Sequence, residues 1–275
     1  MNSQDFEFVA SLLRMRSGIV LTPDKTYLLE SRLGPLARKE GLPSIEDLVQ
    51  VVRSRREERL IAQLVDVMTT NETFFFRDRT PFDILKDTVL PKLAQERRGS
   101  RIRLWCAACS TGQEPYSIAM MLDQSPQLTN GVPVEIVASD ISDRCLERAR
   151  QGLFTQFEVQ RGLPIQMLMQ YFTQQDDQWR ISEKIRSRIG FRKQNLLESF
   201  MGLGRFDIIL CRNVLIYFDT PTKAGILDKM AAQMNPGGSL LLGAAETVLG
   251  VTNNWQPNPE RRGLYTVSQK GVKAA

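Results

Sequence analysis

The sequence of 275 residues contains no histidine. This absence excludes nucleophilic machinery of the Ser-His or Cys-His type, and it removes the side chain that most often serves as a general base near neutral pH. Any reaction that this chain catalyses must therefore proceed without imidazole chemistry.

Cysteine is scarce as well, with 4 residues in the whole chain. That number is too small for a disulfide scaffold in a protein of this length. Cys106-Ala107-Ala108-Cys109 has the spacing of half a zinc site, but a second pair of this kind and the histidines that could replace it are missing. We therefore expect buried thiols beside a strand end, and no bound metal.

Long apolar runs and strong charge of one sign are missing too. No run approaches the ~20 apolar residues that cross a bilayer, and the N-terminus lacks a basic segment followed by an apolar one. The net charge is +5, and the charges of residues 1–70 balance, which disfavours a concentrated nucleic-acid surface. The expectation is a cytoplasmic protein that neither enters the membrane nor binds nucleic acid.

Residues 1–76 have the pattern of short helices and no strand pattern. Thr22-Pro23 and Ser44-Ile45-Glu46-Asp47 are typical helix starts, because their hydroxyls accept from the first free N–H groups and proline needs no partner there. Thr80-Pro81 begins another helix. We predict an all-helical domain over 1–76 and a connector helix over 77–98.

Residues 99–275 alternate short apolar runs with helix candidates, and this alternation favours an α/β domain with a buried parallel sheet and right-handed crossovers. The apolar runs lie at 101–107, 134–139, 205–211, 239–243 and 264–267. Residues 152–190 interrupt the alternation, and a short helix with a small hairpin would fit this inserted segment. Asn235-Pro236-Gly237-Gly238 is predicted to be a plain turn.

Ligands of an open parallel sheet bind beyond the carboxyl ends of its strands. The loop after the first run, from Ala107 to Pro115, has small residues that let a ligand approach the backbone, although an ordinary strand-to-helix turn would look similar. It is not a G-x-G-x-x-G loop. Glu114 would repel a pyrophosphate and suits a ligand with positive charge, such as an amine or a sulfonium.

Two further strand ends carry polar residues. Asp140 follows the second run, where a ribose-binding carboxylate lies in mononucleotide folds; alternatively, Asp140 or Ser142 only caps the next helix. Arg212 and Asn213 follow the run at 205–211, and Tyr217 comes shortly after them. Tyr217 is either a site residue or part of a packed turn.

Three segments, 69–77, 109–117 and 211–218, together resemble the bacterial chemotaxis receptor methyltransferases of the CheR family. The resemblance extends over nearly the whole chain. It implies a class I S-adenosylmethionine-dependent methyltransferase fold: a mostly parallel, Rossmann-like seven-stranded sheet with a small N-terminal all-helical domain and an inserted small β-subdomain. It also implies transfer of a methyl group from S-adenosylmethionine to receptor glutamates, which gives methyl esters and S-adenosylhomocysteine.

The resemblance also implies roles for particular residues. Arg77 and Tyr217 are expected to position the acceptor during catalysis. Gln113 replaces an acid that the family often has beside Glu114, which is a small departure. The residues expected to bind the cofactor are Asn71, Thr73, Arg77, Glu114, Asp140, Asn195, Leu196, Asn213 and Val214.

Basic residues recur on one predicted helix of the N-terminal domain. Lys25, Arg32 and Lys39 are seven residues apart, so they share a face, and Arg38 is close by. Such a stripe is usually a solvated surface, but the resemblance favours docking of the acidic, helical cytoplasmic region of a methyl-accepting receptor. The glycine-free turn at 174–178 argues against binding of a receptor tail, and we expect a monomer.

Two other functions have to be weighed. A nucleic-acid amino-methyltransferase would favour an Asn/Asp-Pro-Pro-aromatic motif after the run at 205–211, where this chain has Arg212-Asn213-Val214-Leu215. A non-catalytic regulator that binds S-adenosylmethionine would be expected to have lost part of the motifs, which are intact here.

Overall fold

The computed structural model describes residues 2–268, and these fall into two compact units. The first contains the chain up to Thr70 together with Tyr217–Thr222, and the second contains Asn71–Ile216 together with the chain from Lys223 onward. The domain boundaries predicted from the sequence, at residues 76 and 98, stay predictions.

Within residues 2–70, the first unit contains four α-helices. They are α1 Ser3–Ser17, α2 Thr26–Lys39, α3 Ile45–Arg55 and α4 Glu58–Met68. The Ser44 hydroxyl accepts from the Asp47 N–H at 3.1 Å and so caps α3, as its residue type predicts. Leucines and valines on the inner faces, such as Leu13, Leu33 and Leu64, are fully buried. The all-helical N-terminal domain is confirmed.

The chain then follows a helical path with a π-helix in its middle: α5 Thr80–Ile84, the π-helix Leu85–Val89 and α6 Leu90–Glu96. Pro91 has no N–H and cannot donate to the carbonyl four residues before it. The Leu90 N–H donates to the Leu85 carbonyl, five residues back. The wider turn thus lies directly before the proline.

The second unit is organised by a seven-stranded sheet in the order β6-β2-β1-β7-β8-β10-β9. Its strands are β1 Ile102–Ala107, β2 Val134–Asp140, β6 Ile189–Lys193, β7 Phe206–Cys211, β8 Met234–Leu242, β9 Trp255–Pro257 and β10 Leu264–Val267. The first five strands of this order pair in parallel, and β10 runs antiparallel to β8 and β9. The predicted mostly parallel sheet is confirmed.

Helices α7 Gln113–Gln124, α8 Asp143–Gln151 and α12 Thr220–Ala232 follow β1, β2 and β7 along the chain. Every residue of β7 is buried, as expected for a strand covered on both faces. Because the five parallel strands run the same way, their carboxyl ends lie along a single edge of the sheet. That edge carries the polar residues singled out in the sequence.

The inserted segment forms a second, antiparallel sheet in the order β3-β5-β4. Its elements are β3 Leu153–Thr155, α9 Gln156–Gln160, α10 Ile165–Tyr171, β4 Phe172–Gln175 and β5 Gln178–Ile181, and α11 Glu183–Arg186 leads back to β6. Phe154 and Phe172 pack edge-on against Phe75, and their ring centroids lie 5.1 and 5.7 Å from that of Phe75. The inserted β-subdomain is confirmed, with a third strand beside the expected hairpin.

The prediction of a turn at residues 235–238 is wrong, because these residues lie inside β8. Phe206 pairs with Met234, and the next pair along the ladder is Ile208 with Ser239, so the extra residues of β8 form an irregularity in its pairing with β7. Proline and glycine are tolerated in a strand at such bulges. Within residues 2–268, no helix has the length and apolar character needed to cross a bilayer.

Candidate active site at the carboxyl edge of the sheet

The loop after β1 turns sharply before α7 begins. Ala108, Ser110 and Gly112 have φ angles of 56°, 51° and 95°, a left-handed conformation that is unfavourable for residues other than glycine. A Cβ atom on Gly112 would lie 3.0 Å from the Tyr116 ring and 3.1 Å from the Ala149 Cβ. Glycine is therefore required where the loop meets the two helices.

Asp140, at the end of β2, holds this loop in place. Its Oδ2 accepts from the Ser110 N–H at 2.8 Å, and its Oδ1 accepts from the Ser142 N–H at 2.9 Å. Ser142 is the residue that caps α8, through the Cys145 N–H at 3.1 Å. The ribose-binding role of Asp140 stays a prediction.

Glu114, on the first turn of α7, is paired with Arg212, whose place at a strand end was predicted but whose partner was not. The Arg212 side chain, just beyond β7, is only 2% exposed, and its Nη1 lies 2.6 Å from the Glu114 Oε2. The Nη2 of Arg212 donates to the Asp78 carboxylate at 2.9 Å and to the Arg77 carbonyl at 2.7 Å. A cationic ligand at Glu114 would share this carboxylate with Arg212.

Residues 71–77, the segment expected to bind the cofactor, lie against the loop after β1. The Ser110 hydroxyl donates to the Asn71 carbonyl at 2.8 Å, and the Phe76 N–H donates to the Ser117 hydroxyl at 3.0 Å. Thr73 is half-buried in the same segment. The structure therefore brings Asn71 to the same strand-end region as Glu114, and Thr73 follows it in this segment.

The turn that carries Arg77 has an unusual backbone. Phe76, Asp78 and Arg79 have φ angles of 51°, 67° and 39°. Positive φ angles in residues with large side chains store strain and persist only where surrounding contacts hold them. Arg212 supplies two such contacts, and the Arg77 Nη1 donates to the Glu72 carbonyl at 2.8 Å. Arg77 is thus held at its carbonyl and at its guanidinium.

The turn after β7 contains Asn213 and Val214, and it is held by a residue that the sequence reasoning missed. Glu246, in the turn after β8, accepts the backbone N–H groups of Asn213, Val214, Leu215 and Gly243. The only sequence signal is an acid placed three residues after the glycine that ends an apolar run. Asn213 has a φ angle of 58°, again in the left-handed region.

Asn195 and Leu196 follow β6, and a lysine of α12 fixes this loop. The Lys229 Nζ donates to the carbonyls of Leu196, Leu197 and Glu198 at 2.7, 2.7 and 2.8 Å. Burial lowers the pKa of Lys229, against the opposing charge of Glu198. Asn195 itself accepts from the Leu197 N–H at 3.0 Å. Lys229 had no signal in the sequence, since α12 is distant from this loop along the chain.

The cysteines are all buried free thiols. Burial is the main cause that raises the pKa values of Cys106, Cys109 and Cys211. These groups are therefore protonated thiols at neutral pH, which are poor nucleophiles and poor metal ligands. Across residues 2–268, no cluster of three or more acidic or cysteine side chains is arranged to hold a metal ion.

The other candidate residues lie in the first unit. The carbonyl of Tyr217 accepts from the Val20 N–H at 2.9 Å, and the Tyr217 side chain is half-buried. Lys25, Arg38 and Lys39 are exposed on or next to α2, as the docking hypothesis needs. The positions of these residues do not test their roles.

Arg32 differs from the rest of its stripe. It is half-buried, and its guanidinium donates to the carbonyls of Met68 and Thr69 at 2.7 and 3.1 Å and to the Thr70 hydroxyl at 3.1 Å. It therefore satisfies free carbonyl groups at the end of α4, as cationic side chains often do there. Its place on the stripe gave no indication of this internal role.

Four acceptor side chains thus lie at the carboxyl ends of four adjacent strands: Asn195 after β6, Asp140 on β2, Glu114 after β1 and Asn213 after β7. Carboxylate and carboxamide oxygens suit ammonium, sulfonium and hydroxyl groups. They do not suit phosphate. The chemistry of this set therefore fits a cationic ligand that has an amino group and hydroxyl groups.

Comparison with known proteins finds matches to both the helical N-terminal region and the region that contains the sheet. Residues 4–69 match the family described as CheR methyltransferase, all-alpha domain, and residues 71–263 match CheR methyltransferase, SAM binding domain. The chain is 41% identical over 256 residues to chemotaxis protein methyltransferase Cher2 of Pseudomonas putida, and this covers 92% of the chain and 93% of the relative. It is 42% identical over 258 residues to chemotaxis protein methyltransferase 1 of Vibrio cholerae, covering 93% of each.

Proposed function

Because the chain belongs to the CheR methyltransferase family, we propose that it transfers a methyl group from S-adenosylmethionine to glutamate side chains of bacterial chemoreceptors, with S-adenosylhomocysteine as the second product. Relatives that match over nearly their full length are named chemotaxis protein methyltransferases. The observation that carries the proposal is the row of four acceptor side chains along one strand-end edge, inside the domain that matches the S-adenosylmethionine-binding family.

S-adenosylmethionine supplies an electrophilic methyl group on a positively charged sulfur. We assign Glu114 to the cationic amino-acid part of this cofactor and Asp140 to its ribose hydroxyls. Asn71, Thr73 and Arg77 cover it from the segment that is hydrogen-bonded to the loop after β1. Asn195, Leu196, Asn213 and Val214 complete the set from the two flanking strand ends.

The proposed acceptor is a glutamate, whose carboxyl has a pKa of about 4.3 in solution. It is already ionised at pH 7, so this chain needs no general base, which agrees with the absence of histidine. Charge is cancelled as a carboxylate approaches a sulfonium, so additional strong charges near the reacting atoms would stabilise the transition state little. Alignment of the reacting atoms and exclusion of water contribute more to the rate of transfer. We therefore assign Arg77 and Tyr217 to positioning the acceptor.

The receptor is proposed to dock on the exposed basic residues on or next to α2, namely Lys25, Arg38 and Lys39. A helical receptor region rich in acids would be complementary to these residues. Complementary charges of this kind mainly raise the rate of encounter, in a way that depends on ionic strength. We assign Arg32 mainly a structural role at the end of α4, because it makes three hydrogen bonds inside the first unit.

The test is an assay with S-adenosylmethionine labelled in its methyl group, incubated with receptor-containing membranes. Label that appears in the receptor and is released as methanol by base, as expected of a carboxyl methyl ester, supports the proposal. Label in nucleic acid would support a nucleic-acid methyltransferase. Cofactor binding without any transfer would support a non-catalytic regulator.

A matched pair of variants connects the assay to the site. Asp140→Asn removes the proposed ribose-binding carboxylate, and we expect receptor labelling to fall at least tenfold. Asp143→Asn makes the same chemical change three residues later, at an exposed carboxylate that pairs with Lys193. This control is expected to retain wild-type labelling.

A further inference from the structure

Glu246 is a buried carboxylate that no part of the proposed reaction uses. It is 8% exposed, and its oxygens accept four backbone N–H groups. Oε2 accepts from Gly243 and Asn213, both at 2.8 Å, and Oε1 accepts from Val214 at 2.9 Å and Leu215 at 2.7 Å. A carboxylate offers roughly four acceptor positions. Glu246 therefore has no capacity left for a ligand.

These four bonds join the ends of two neighbouring strands. Gly243 follows β8, and Asn213 to Leu215 follow β7. A Cβ atom at Gly243 would lie 2.7 Å from the Glu246 Oε2 and 3.0 Å from both the backbone nitrogen and the Nδ2 of Asn213. The glycine, the carboxylate and the Asn213 backbone are therefore closely packed.

The packing explains how Asn213 keeps its left-handed backbone. Its φ angle of 58° is rare for a residue with a side chain. Three successive N–H groups that point to one carboxylate fix the backbone of residues 213–215, because charge-assisted hydrogen bonds of this kind are strong in a buried setting. The same bonds occupy the N–H groups of Asn213 and Val214, so only side-chain atoms and carbonyl oxygens of this turn remain for a ligand.

We propose that Glu246 is a positioning residue for the cofactor: it fixes the turn after β7 so that Asn213 and Val214 occupy their binding positions, and it makes no contact with the cofactor itself. This inference rests on the proposed function, which supplies the roles of Asn213 and Val214. It predicts that the charge and length of Glu246 control cofactor affinity from outside the binding site.

The test is titration calorimetry of S-adenosylhomocysteine with the purified full chain. Glu246→Gln has nearly the same shape, but it replaces one accepting oxygen with an NH2 group that faces two N–H donors. We expect the Kd to rise about tenfold or more, because buried donors lose their acceptor, while the binding stoichiometry stays near one. A purely structural role would lower the stoichiometry, through loss of folded protein, and leave the Kd unchanged.

Asp207 is the matched control. It is a buried carboxylate at the opposite end of β7, and it accepts from the Arg103 N–H at 2.8 Å, the Arg97 Nε at 2.8 Å and the Asn235 Nδ2 at 3.0 Å. Asp207→Asn is expected to lower stability in the same way as Glu246→Gln. Its Kd for S-adenosylhomocysteine is expected to match the wild type.

The possible outcomes are distinct. Equal Kd values in the wild type and Glu246→Gln, or the same rise in both variants, overturn the positioning role and leave the proposed function intact. No binding by the folded wild type overturns the proposed function and this inference with it. If Glu246→Gln does not fold, Glu246→Asp, which keeps the charge but shortens the side chain, provides the same comparison.

Discussion

The Arg212 guanidinium lies 2.6 Å from the Glu114 carboxylate, and its other nitrogen binds the turn that carries Arg77. One buried cation thus connects the end of β7, the start of α7 and the segment before α5. The Glu114 side chain is 13% exposed and that of Arg212 is 2% exposed. Removal of one partner from such a pair leaves a buried charge without compensation, which is more costly than loss of the interaction itself.

Arg212→Met is therefore expected to lower the free energy of unfolding by about 3 kcal/mol, measured by urea denaturation at pH 7. Glu114 and Asp78 would lose their cation, and the Arg77 carbonyl would lose a donor. Arg150→Met is the control, because Arg150 is 47% exposed and lies 4.0 Å from Glu147; its effect is expected to stay within about 0.5 kcal/mol. Similar losses in both variants would contradict the importance of this buried pair.

The sheet and the edge that carries the site could be predicted from the sequence, because strands buried on both faces are nearly continuous apolar runs. The run at 205–211 corresponds to β7, whose six residues are all buried. The polar residues directly after such runs must lie at one edge when the strands are parallel. Asp140 and Asn213 were placed correctly at strand ends for this reason, although their binding roles stay predictions.

The partners of these residues could not be predicted in the same way. Glu246 lies 33 residues from Asn213 along the chain, and Arg212 lies 98 residues from Glu114. No local pattern reports contacts at such separations. The first residues of β8, including Pro236 and Gly237, were predicted as a turn for a different reason: the pairing with β7 tolerates a turn-like sequence as an irregularity. Local propensity was there overridden by the tertiary context.

Reversal of charge on the exposed α2 face is expected to weaken receptor methylation selectively. In the double variant Arg38→Glu/Lys39→Glu, the initial rate at low receptor concentration is expected to fall on the order of tenfold at low salt, with the difference shrinking as salt is raised. The Kd for S-adenosylhomocysteine is expected to stay within about twofold of the wild type, because the change lies outside the proposed cofactor site. Rates at several salt concentrations and calorimetry provide the two measurements.

Arg55→Glu is the control for this double variant, because Arg55 is exposed on another helix of the same unit. Its methylation rate is expected to be that of the wild type. An equal loss in Arg55→Glu would indicate a general effect of net charge and contradict a specific docking face. Arg32 is unsuitable for this experiment, since its substitution would also free the carbonyls at the end of α4.

Tyr217→Phe removes one hydroxyl from the residue proposed to orient the acceptor. We expect kcat for receptor methylation to fall about tenfold, which corresponds to about 1.4 kcal/mol of transition-state stabilisation, while the Kd for S-adenosylhomocysteine stays unchanged. Tyr171→Phe is the control, because it removes a hydroxyl that donates to Asp123 at 3.0 Å in the inserted subdomain. Unchanged turnover in Tyr217→Phe would remove this residue from the mechanism.

Glu135, on β2, is expected to make stability depend on pH. Its carboxylate accepts from Arg103 at 3.0 and 3.1 Å and from Arg101 at 3.1 Å, and the hydrogen bonds from Arg103 are the main cause that lowers its pKa. A carboxyl whose pKa is lowered by folding stabilises the protein above its pKa in the unfolded chain, about 4.3. This contribution is lost as the pH falls through the lower pKa of the folded state.

Glu135→Gln is therefore expected to be less stable than the wild type at pH 7, by at most about 1 kcal/mol, since the carboxylate is 36% exposed and solvent screens the pair. As the pH falls from 7 toward 3 the difference is expected to narrow, because protonation of Glu135 removes its difference in charge from glutamine. Urea denaturation at both pH values measures this difference. The other carboxyl groups are the same in the two proteins, so their titration cancels from the difference in free energy of unfolding. A difference of constant size between pH 7 and pH 3 would show that Glu135 acts through its shape and not through its charge.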